Sequence, residues 1–175
     1  MKSDADFRVD QQFGRQLEVQ VHRMLTKYYP GLELPETDQY HDARVHRDFG
    51  DMYLQTVVQC KRRTNLQFSS MREYPFDTII VDTERNLILE SIPKDIYYSL
   101  SMENKRCYLR TFHSYWIGSA DNENYAVILP STKPHWSLLE VYDKRSDQRI
   151  INWVCPKEKA IFVHRNDLRP VLERA

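Results

Sequence analysis

The sequence predicts a single mixed α/β domain, and three observations support this. The chain has 175 residues, a length that favours one domain. Residues 7–28 carry apolar side chains at helical spacing, whereas the second half contains short segments of aromatic and β-branched residues between turn signals. Because a helix pattern precedes and interrupts the strand patterns, the predicted class is α/β rather than all-α or all-β.

The first predicted element is a helix over residues 7–28. Its apolar positions recur at steps of three and four, which places them on one face. Asp4 or Asp6 is a candidate N-cap, and Pro30 ends the helix. Glu18 lies at the edge of the apolar face. The apolar face consists of Phe13, Leu17, Val21, Met24 and Tyr28.

Strand patterns follow the first helix. Residues 52–54 and 57–61 read as two short strands after the turn 48–51. Residues 64–72 have helical length, and residues 76–82 read as a buried strand. The second half is predicted to hold strands at 95–100, 106–112, 125–129, 137–142, 150–154 and 160–164, and a short helix within 166–172.

Composition excludes several classes of protein. Lys plus Arg number 25 and Asp plus Glu number 25, so any basic surface has to be local. No apolar run is long enough to span a membrane, and the acidic N-terminal residues do not resemble a signal peptide. The cysteines Cys60, Cys107 and Cys155 are odd in number and widely spaced. We therefore expect reduced thiols and a cytoplasmic protein.

The chain lacks the glycine-rich motifs of nucleotide-binding proteins and the GxSxG motif of serine hydrolases. We therefore expect no nucleotide cofactor and no serine hydrolase chemistry. A different set of residues, in the stretch DFGDMYLQTVVQCKRRTN over 48–65, indicates another chemistry.

In that stretch, Gln59 and Lys61 are two positions apart on a predicted strand, so they share a face while Cys60 points into the opposite layer. If the chain folds back before this strand, Asp51 arrives beside Gln59. This would bring together a carboxylate, an amide oxygen and an ammonium group. Asp48 and Asp42 are spaced plausibly for the same role as Asp51.

Phosphodiester hydrolysis needs such a set of groups. A divalent cation is held by hard oxygen ligands, and Mg²⁺ suits a site with few protein ligands, with Mn²⁺ as a substitute. Asp51 would be the principal ligand, and Gln59 and the backbone carbonyl of Cys60 would complete the protein side. Lys61 would orient or polarise the attacking water and the phosphate.

These residues resemble the PD-(D/E)xK nuclease superfamily. The resemblance consists of Asp51, then Gln59-x-Lys61, after a helix that carries Gly14-x-x-x-Glu18. The string VVQCKRR is especially similar to the catalytic strand of Mrr-type restriction endonucleases and of phage-encoded Holliday-junction-resolvase-like proteins. Branches of the superfamily with Gln at the first position of the polar-x-Lys pair are known.

The resemblance implies a restriction-endonuclease-like αβββαβ core, a mixed central sheet flanked by helices. It also implies that Glu18 approaches the metal site and that a helix over about 64–73 packs beside the DNA groove. The core would span about 7–85, and a strand-rich C-terminal extension about 87–175, within the single domain 1–175.

Further basic residues are candidates for contacts with DNA phosphates. They are Arg62, Arg63 and Arg72. Two acidic residues, Asp77 and Asp82, flank a predicted strand and are interpreted as structural. The resulting expectation is a metal-dependent DNA endonuclease of the kind that phages and mobile elements encode, and a homodimer is plausible. Because Gln59 carries no charge, a nuclease-like fold without catalysis, serving as a DNA-binding or protein-interaction module, is one alternative. A nuclease that acts on RNA with the same active site is another.

Overall fold

The computed structural model describes residues 19–27, 57–62, 65–92, 94–107, 113–144 and 146–172. These residues form a mixed α/β architecture with two β-sheets and short helices. Helix α1 covers residues 19–26, and the other helices are α2 (Glu84–Ser91), α3 (Lys94–Tyr97), α4 (Met102–Cys107) and α5 (Arg169–Leu172). The strands are β1 (Val57–Arg62), β2 (Thr78–Thr83), β3 (His113–Gly118), β4 (Asn124–Ile128), β5 (Ser137–Asp143), β6 (Gln148–Pro156) and β7 (Ile161–His164).

The first sheet has the strand order β1-β3-β4-β7. Strands β1 and β3 run parallel, with Val57 opposite His113 and Arg62 opposite Gly118, whereas the other two pairings are antiparallel. The carboxyl ends of β1 and β3 therefore lie side by side at one edge of this sheet.

The second sheet is antiparallel and has the order β2-β6-β5. Its strands come from chain segments that alternate with those of the first sheet. Strand β2 lies between β1 and β3 in the sequence, and β5 and β6 lie between β4 and β7. The described strands of the predicted core, β1 and β2, pair with strands of the predicted extension.

Each face of the first sheet packs against a different hydrophobic cluster. Side chains alternate between the two faces of a strand, so Tyr115 and Ile117 of β3 belong to one cluster and Trp116 to the other. The first cluster also takes Ile79 from β2 and Leu87 from α2. The second is completed by β7 and by the helices α1 and α5. Burial on both faces explains why β3 and β4 carry almost continuous apolar runs.

The predicted apolar face of the first helix is confirmed where it is described. Val21 and Met24 are buried, and Leu25, which the sequence interpretation omitted, is buried beside them. The remaining predicted members, Phe13, Leu17 and Tyr28, lie outside the described residues.

Six strand predictions agree with the structure, those at 57–61, 76–82, 125–129, 137–142, 150–154 and 160–164. One is wrong, because the segment 95–100 starts inside helix α3. The predicted strand 106–112 starts inside helix α4, and its remaining residues 108–112, like the predicted strand 52–54, lie outside the described residues. Tyr97 and Tyr98 gave the first segment its strand-like composition, but the Ser99 amide bonds to the Ile96 carbonyl in a helical turn.

The helix predicted over about 64–73 is also wrong, since residues 65–77 contain no helix and consist of turns, bends and irregular backbone. The amide and hydroxyl of Ser69 both donate to the Glu73 carboxylate, and the Glu73 amide donates to the Ser70 hydroxyl. Serine side chains that bond to nearby backbone groups compete with helix formation in this way.

Among the described residues, no helix is both long enough and apolar enough to cross a membrane.

Candidate functional site

Lys61 lies one residue before the end of β1 and reaches towards the second sheet. Its neighbour Cys60 packs against the cluster on the opposite face of the first sheet. The predicted alternation of Cys60 and Lys61 is therefore confirmed. Gln59 lies in β1 opposite Tyr115 of β3.

The Lys61 ammonium forms an ion pair with Asp82 at the end of β2. The Lys61 Nζ to Asp82 Oδ1 distance is 2.7 Å, and the side chains are 23% and 2% exposed, respectively. Because β1 and β2 belong to different sheets, this pair joins the two sheets. Its partial burial makes the interaction stronger than that of an exposed ion pair.

A β-bulge explains why Asp82 is buried. The register between β2 and β6 shifts between Ile80 and Asp82, so Val81 and Asp82 are both buried although they are adjacent in the strand. Regular alternation would instead place Asp82 on the same, partly exposed face as Ile80. Bulges re-aim side chains in this manner and are over-represented beside active sites.

The two carboxylate oxygens of Asp82 have different surroundings. Besides the ammonium group, Oδ1 accepts hydrogen bonds from the Thr83 amide at 2.7 Å and from Asn86 Nδ2 at 3.0 Å. Oδ2 is buried and accepts no hydrogen bond from the part of the chain that the structure describes. The buried negative charge is therefore balanced through Oδ1.

Helix α2 begins at Glu84, two residues after Asp82, and supplies part of this environment. Thr83 is its N-cap, and the Thr83 hydroxyl accepts a hydrogen bond from the Asn86 amide at 3.1 Å. The same cap places the Asn86 side chain against Asp82. An N-terminal helix end also favours a nearby negative charge, so α2 stabilises the ionised carboxylate.

The turn after β3 lies at the same end of the first sheet as Lys61, because Arg62 pairs with Gly118. In this turn Asn122 adopts a positive φ of 61°, a conformation that asparagine tolerates. Gln20 Nε2 of helix α1 donates to the Asn122 carbonyl at 2.8 Å and to the Tyr125 hydroxyl at 2.7 Å. Helix α1 is therefore attached to this end of the sheet.

The segment that follows β1 contacts the same turn. Gln67 Nε2 donates to the Asp121 carboxylate at 2.9 Å, and the Ala120 amide donates to the Leu66 carbonyl at 2.9 Å. The Ser119 hydroxyl, as the largest cause, holds the pKa of Asp121 below its ordinary value. These bonds fix the exit of β1 relative to β3.

The other predicted site residues are only partly described. Arg62 is the last residue of β1, and Arg72 lies exposed in the turn before β2. The remaining predicted site residues lie outside the described ranges; they are Glu18, Asp42, Asp48, Asp51 and Arg63.

Asp82 is the residue whose role the sequence does not reveal. Its position beside an apolar strand favours a structural interpretation, and nothing in the sequence marks the bulge that turns it inward. The one signal that points to it is a carboxylate directly before a helix N-cap, Thr83, at the end of a buried strand.

No group of three or more His, Cys, Asp or Glu side chains that could hold a metal ion occurs within the described ranges. Searches against protein-family models, curated proteins and solved structures found no match to this chain. Function is therefore inferred from the chain's own residues, above all from the ammonium group and the buried carboxylate that join the two sheets.

Proposed function

We propose that this protein is a metal-dependent endonuclease that hydrolyses phosphodiester bonds in DNA, with Lys61 at its active site. The observation that carries the proposal is an ion pair near the carboxyl end of β1. It joins Lys61 of β1 to the buried carboxylate of Asp82 in β2. An ammonium group that is already held in place can stabilise developing negative charge without reorganising during the reaction.

The position of Lys61 in the sheet supports this proposal. The carboxyl ends of parallel strands are where open α/β sheets usually bind their ligands, and Lys61 lies at that end of the parallel pair β1 and β3. Gln20 attaches helix α1 to this end of the sheet, so α1 also contributes to its surroundings.

The proposed metal ligands are Asp51, Gln59, the backbone carbonyl of Cys60, and Glu18. All four offer oxygen atoms, and this donor set fits Mg²⁺ or Mn²⁺. When bound, the cation would make a water molecule more acidic and neutralise charge on the phosphate. Lys61 would orient that water and contact the phosphate, while Arg62, Arg63 and Arg72 would contact neighbouring phosphates.

One observation favours a second candidate function, a nuclease-like module that binds DNA or a protein without catalysis. Lys61 has a buried carboxylate partner within the protein itself, and many lysines paired in this way serve only to join elements of a fold. In this case binding would not depend on a metal ion.

Cleavage of a panel of linear, branched and single-stranded DNA, with Mg²⁺ or Mn²⁺, tests the proposal. We expect the wild-type protein to cleave at least one substrate. Asp51→Asn and Lys61→Met should each reduce the rate by about 10²-fold or more, as the loss of an electrostatic catalytic group does. Lys159→Met, which alters an exposed lysine of the turn 157–159, is the matched control and should cleave normally.

Two results would contradict the nuclease proposal. The first is the absence of cleavage by the wild-type protein on every substrate with either metal. The second is cleavage that survives both substitutions. DNA binding that persists in a metal chelator and weakens steeply with salt would instead support the non-catalytic module.

A further inference from the structure

We infer that Asp82 is a positioning residue of the active site, which fixes the Lys61 ammonium group from the second sheet. This inference rests on the proposed nuclease function and extends it to a residue outside the polar-x-Lys motif. Asp82 acts through Lys61 and needs no contact with the substrate or the metal ion.

The local backbone is shaped to deliver this carboxylate to Lys61. The bulge between Ile80 and Asp82 interrupts the alternation of β2 and turns Asp82 into the space between the sheets. The bulge therefore interrupts the regular hydrogen bonding between β2 and β6, and it brings the Asp82 carboxylate into contact with Lys61.

The bonds to Asp82 also favour a fixed geometry. The Thr83 amide and Asn86 Nδ2 hold Oδ1 from the side of α2, so the carboxylate is anchored independently of Lys61. Because Oδ2 receives no donor from the described residues, the ammonium group is the main charge that compensates the buried anion. The carboxylate therefore holds Lys61 more firmly than a solvated partner would.

A lysine side chain has four rotatable bonds, and fixing it restricts rotamers that would otherwise be free. When Asp82 holds Nζ at 2.7 Å, that restriction is already present before the substrate binds. We therefore expect Asp82 to affect the rate at which the bound substrate is cleaved rather than the affinity for the substrate.

The first test observes Lys61 directly, without substrate. Nitrogen-15 NMR of lysine ammonium groups detects those that are held and protected from exchange, and Lys61→Arg identifies the signal of Lys61. We expect this signal in the wild-type protein and in Asp77→Asn, which alters an exposed aspartate that precedes β2. It should disappear in Asp82→Asn, and in Asp82→Ser, whose smaller side chain serves if the amide disturbs folding.

The second test measures cleavage by the same variants. Asp82→Asn and Asp82→Ser should lower kcat by about 10²-fold, the usual cost of misplacing a catalytic group, with KM for DNA changed less than about twofold. Binding of Mn²⁺, followed by electron paramagnetic resonance, should remain as in the wild-type protein. Asp77→Asn should match the wild-type protein in kcat, in KM and in Mn²⁺ binding.

Different failures lead to different conclusions. If the wild-type protein cleaves and the Asp82 variants retain its kcat, or if they keep the Lys61 signal, the positioning role is wrong. Loss of Mn²⁺ binding in the Asp82 variants would also overturn it, because Asp82 would then be a metal ligand. If the wild-type protein does not cleave at all, the nuclease proposal fails first, and the ion pair is left as a purely structural link.

Discussion

The ion pair between Lys61 and Asp82 is asymmetric. Lys61 is partly exposed, so its ammonium group can find water if its partner is removed, whereas Asp82 is almost fully buried. Removing one partner of a buried pair leaves the other charge uncompensated, and the cost is higher for the partner that cannot reach solvent. The two single substitutions therefore differ in their expected effects.

We expect Lys61→Met to lower the free energy of unfolding by about 3 kcal/mol, because it leaves the buried Asp82 carboxylate without its cation. Asp82→Asn should cost less, and the double variant Lys61→Met with Asp82→Asn should recover most of the loss. Urea denaturation of the four proteins measures this coupling. Equal destabilisation by the single variants that simply adds in the double variant would show that the two side chains do not interact.

This difference also affects the interpretation of cleavage assays. A loss of activity in Lys61→Met can arise from reduced stability, and the double variant separates the two causes. If the double variant is as stable as the wild-type protein and remains inactive, the lost activity is due to the lost ammonium group.

At the scale of single residues, the sequence predicted the alternation at Cys60 and Lys61 correctly, because β1 is a regular strand with a period of two. It did not predict the burial of Asp82. The bulge in β2 is set by pairing with β6, whose residues lie about 70 positions further along the chain. Pairing of this kind between distant segments leaves no local sequence pattern.

At the scale of secondary-structure elements, helix α2 depends on its cap. The Thr83 hydroxyl satisfies the Asn86 amide, and the mean hydropathy of this eight-residue helix is low, so packing supplies only part of its stability. The cap also keeps the Asn86 side chain against Asp82. A substitution at Thr83 should therefore affect both the stability of α2 and the position of Asn86 beside the ion pair.

Thr83→Ala should lower the free energy of unfolding by about 1 kcal/mol, the usual cost of losing a capping hydroxyl. Thr83→Ser keeps the hydroxyl and is the matched control, with an expected change of less than about 0.5 kcal/mol. Chemical denaturation followed by circular dichroism gives both values. If the alanine and serine variants are equally stable, the hydroxyl does not act as a cap.

The elements that the sequence predicted well are those whose pattern is local. Strands β4 to β7 combine β-branched or aromatic residues with clear turn signals at their ends. The helix predicted over about 64–73 failed because Ser69 and Ser70 bond to Glu73 within a turn. The segment 95–100 failed because Tyr97 and Tyr98 favour strands in isolation, although neighbouring residues hold them in and beside a helix.

At the scale of the whole molecule, β5 is an exposed edge of the second sheet. Within the described part of the chain it pairs only with β6. Apolar side chains are exposed on both of its faces, namely Leu138, Leu139, Val141 and Tyr142. Edges of this kind are sites of association between chains unless charges or prolines protect them.

We therefore expect the wild-type protein to self-associate with increasing concentration, and Leu139→Lys to reduce this association. Because Leu139 is 43% exposed, the substitution should change the free energy of unfolding by less than about 0.5 kcal/mol. Sedimentation velocity over a range of concentrations measures the association. A wild-type protein that sediments as a monomer throughout would show that this edge does not mediate contact.

The alternation of the two sheets along the chain has a consequence for synthesis. The first sheet needs β7 to complete the edge opposite β1. Strand β1 cannot pair with β3 until β2 and the helices α2, α3 and α4 have been translated. On the ribosome, an early strand such as β1 therefore waits for partners that are translated much later. The first sheet should therefore reach its native pairing only after β7 has been translated, and incompletely paired strands stay exposed until then.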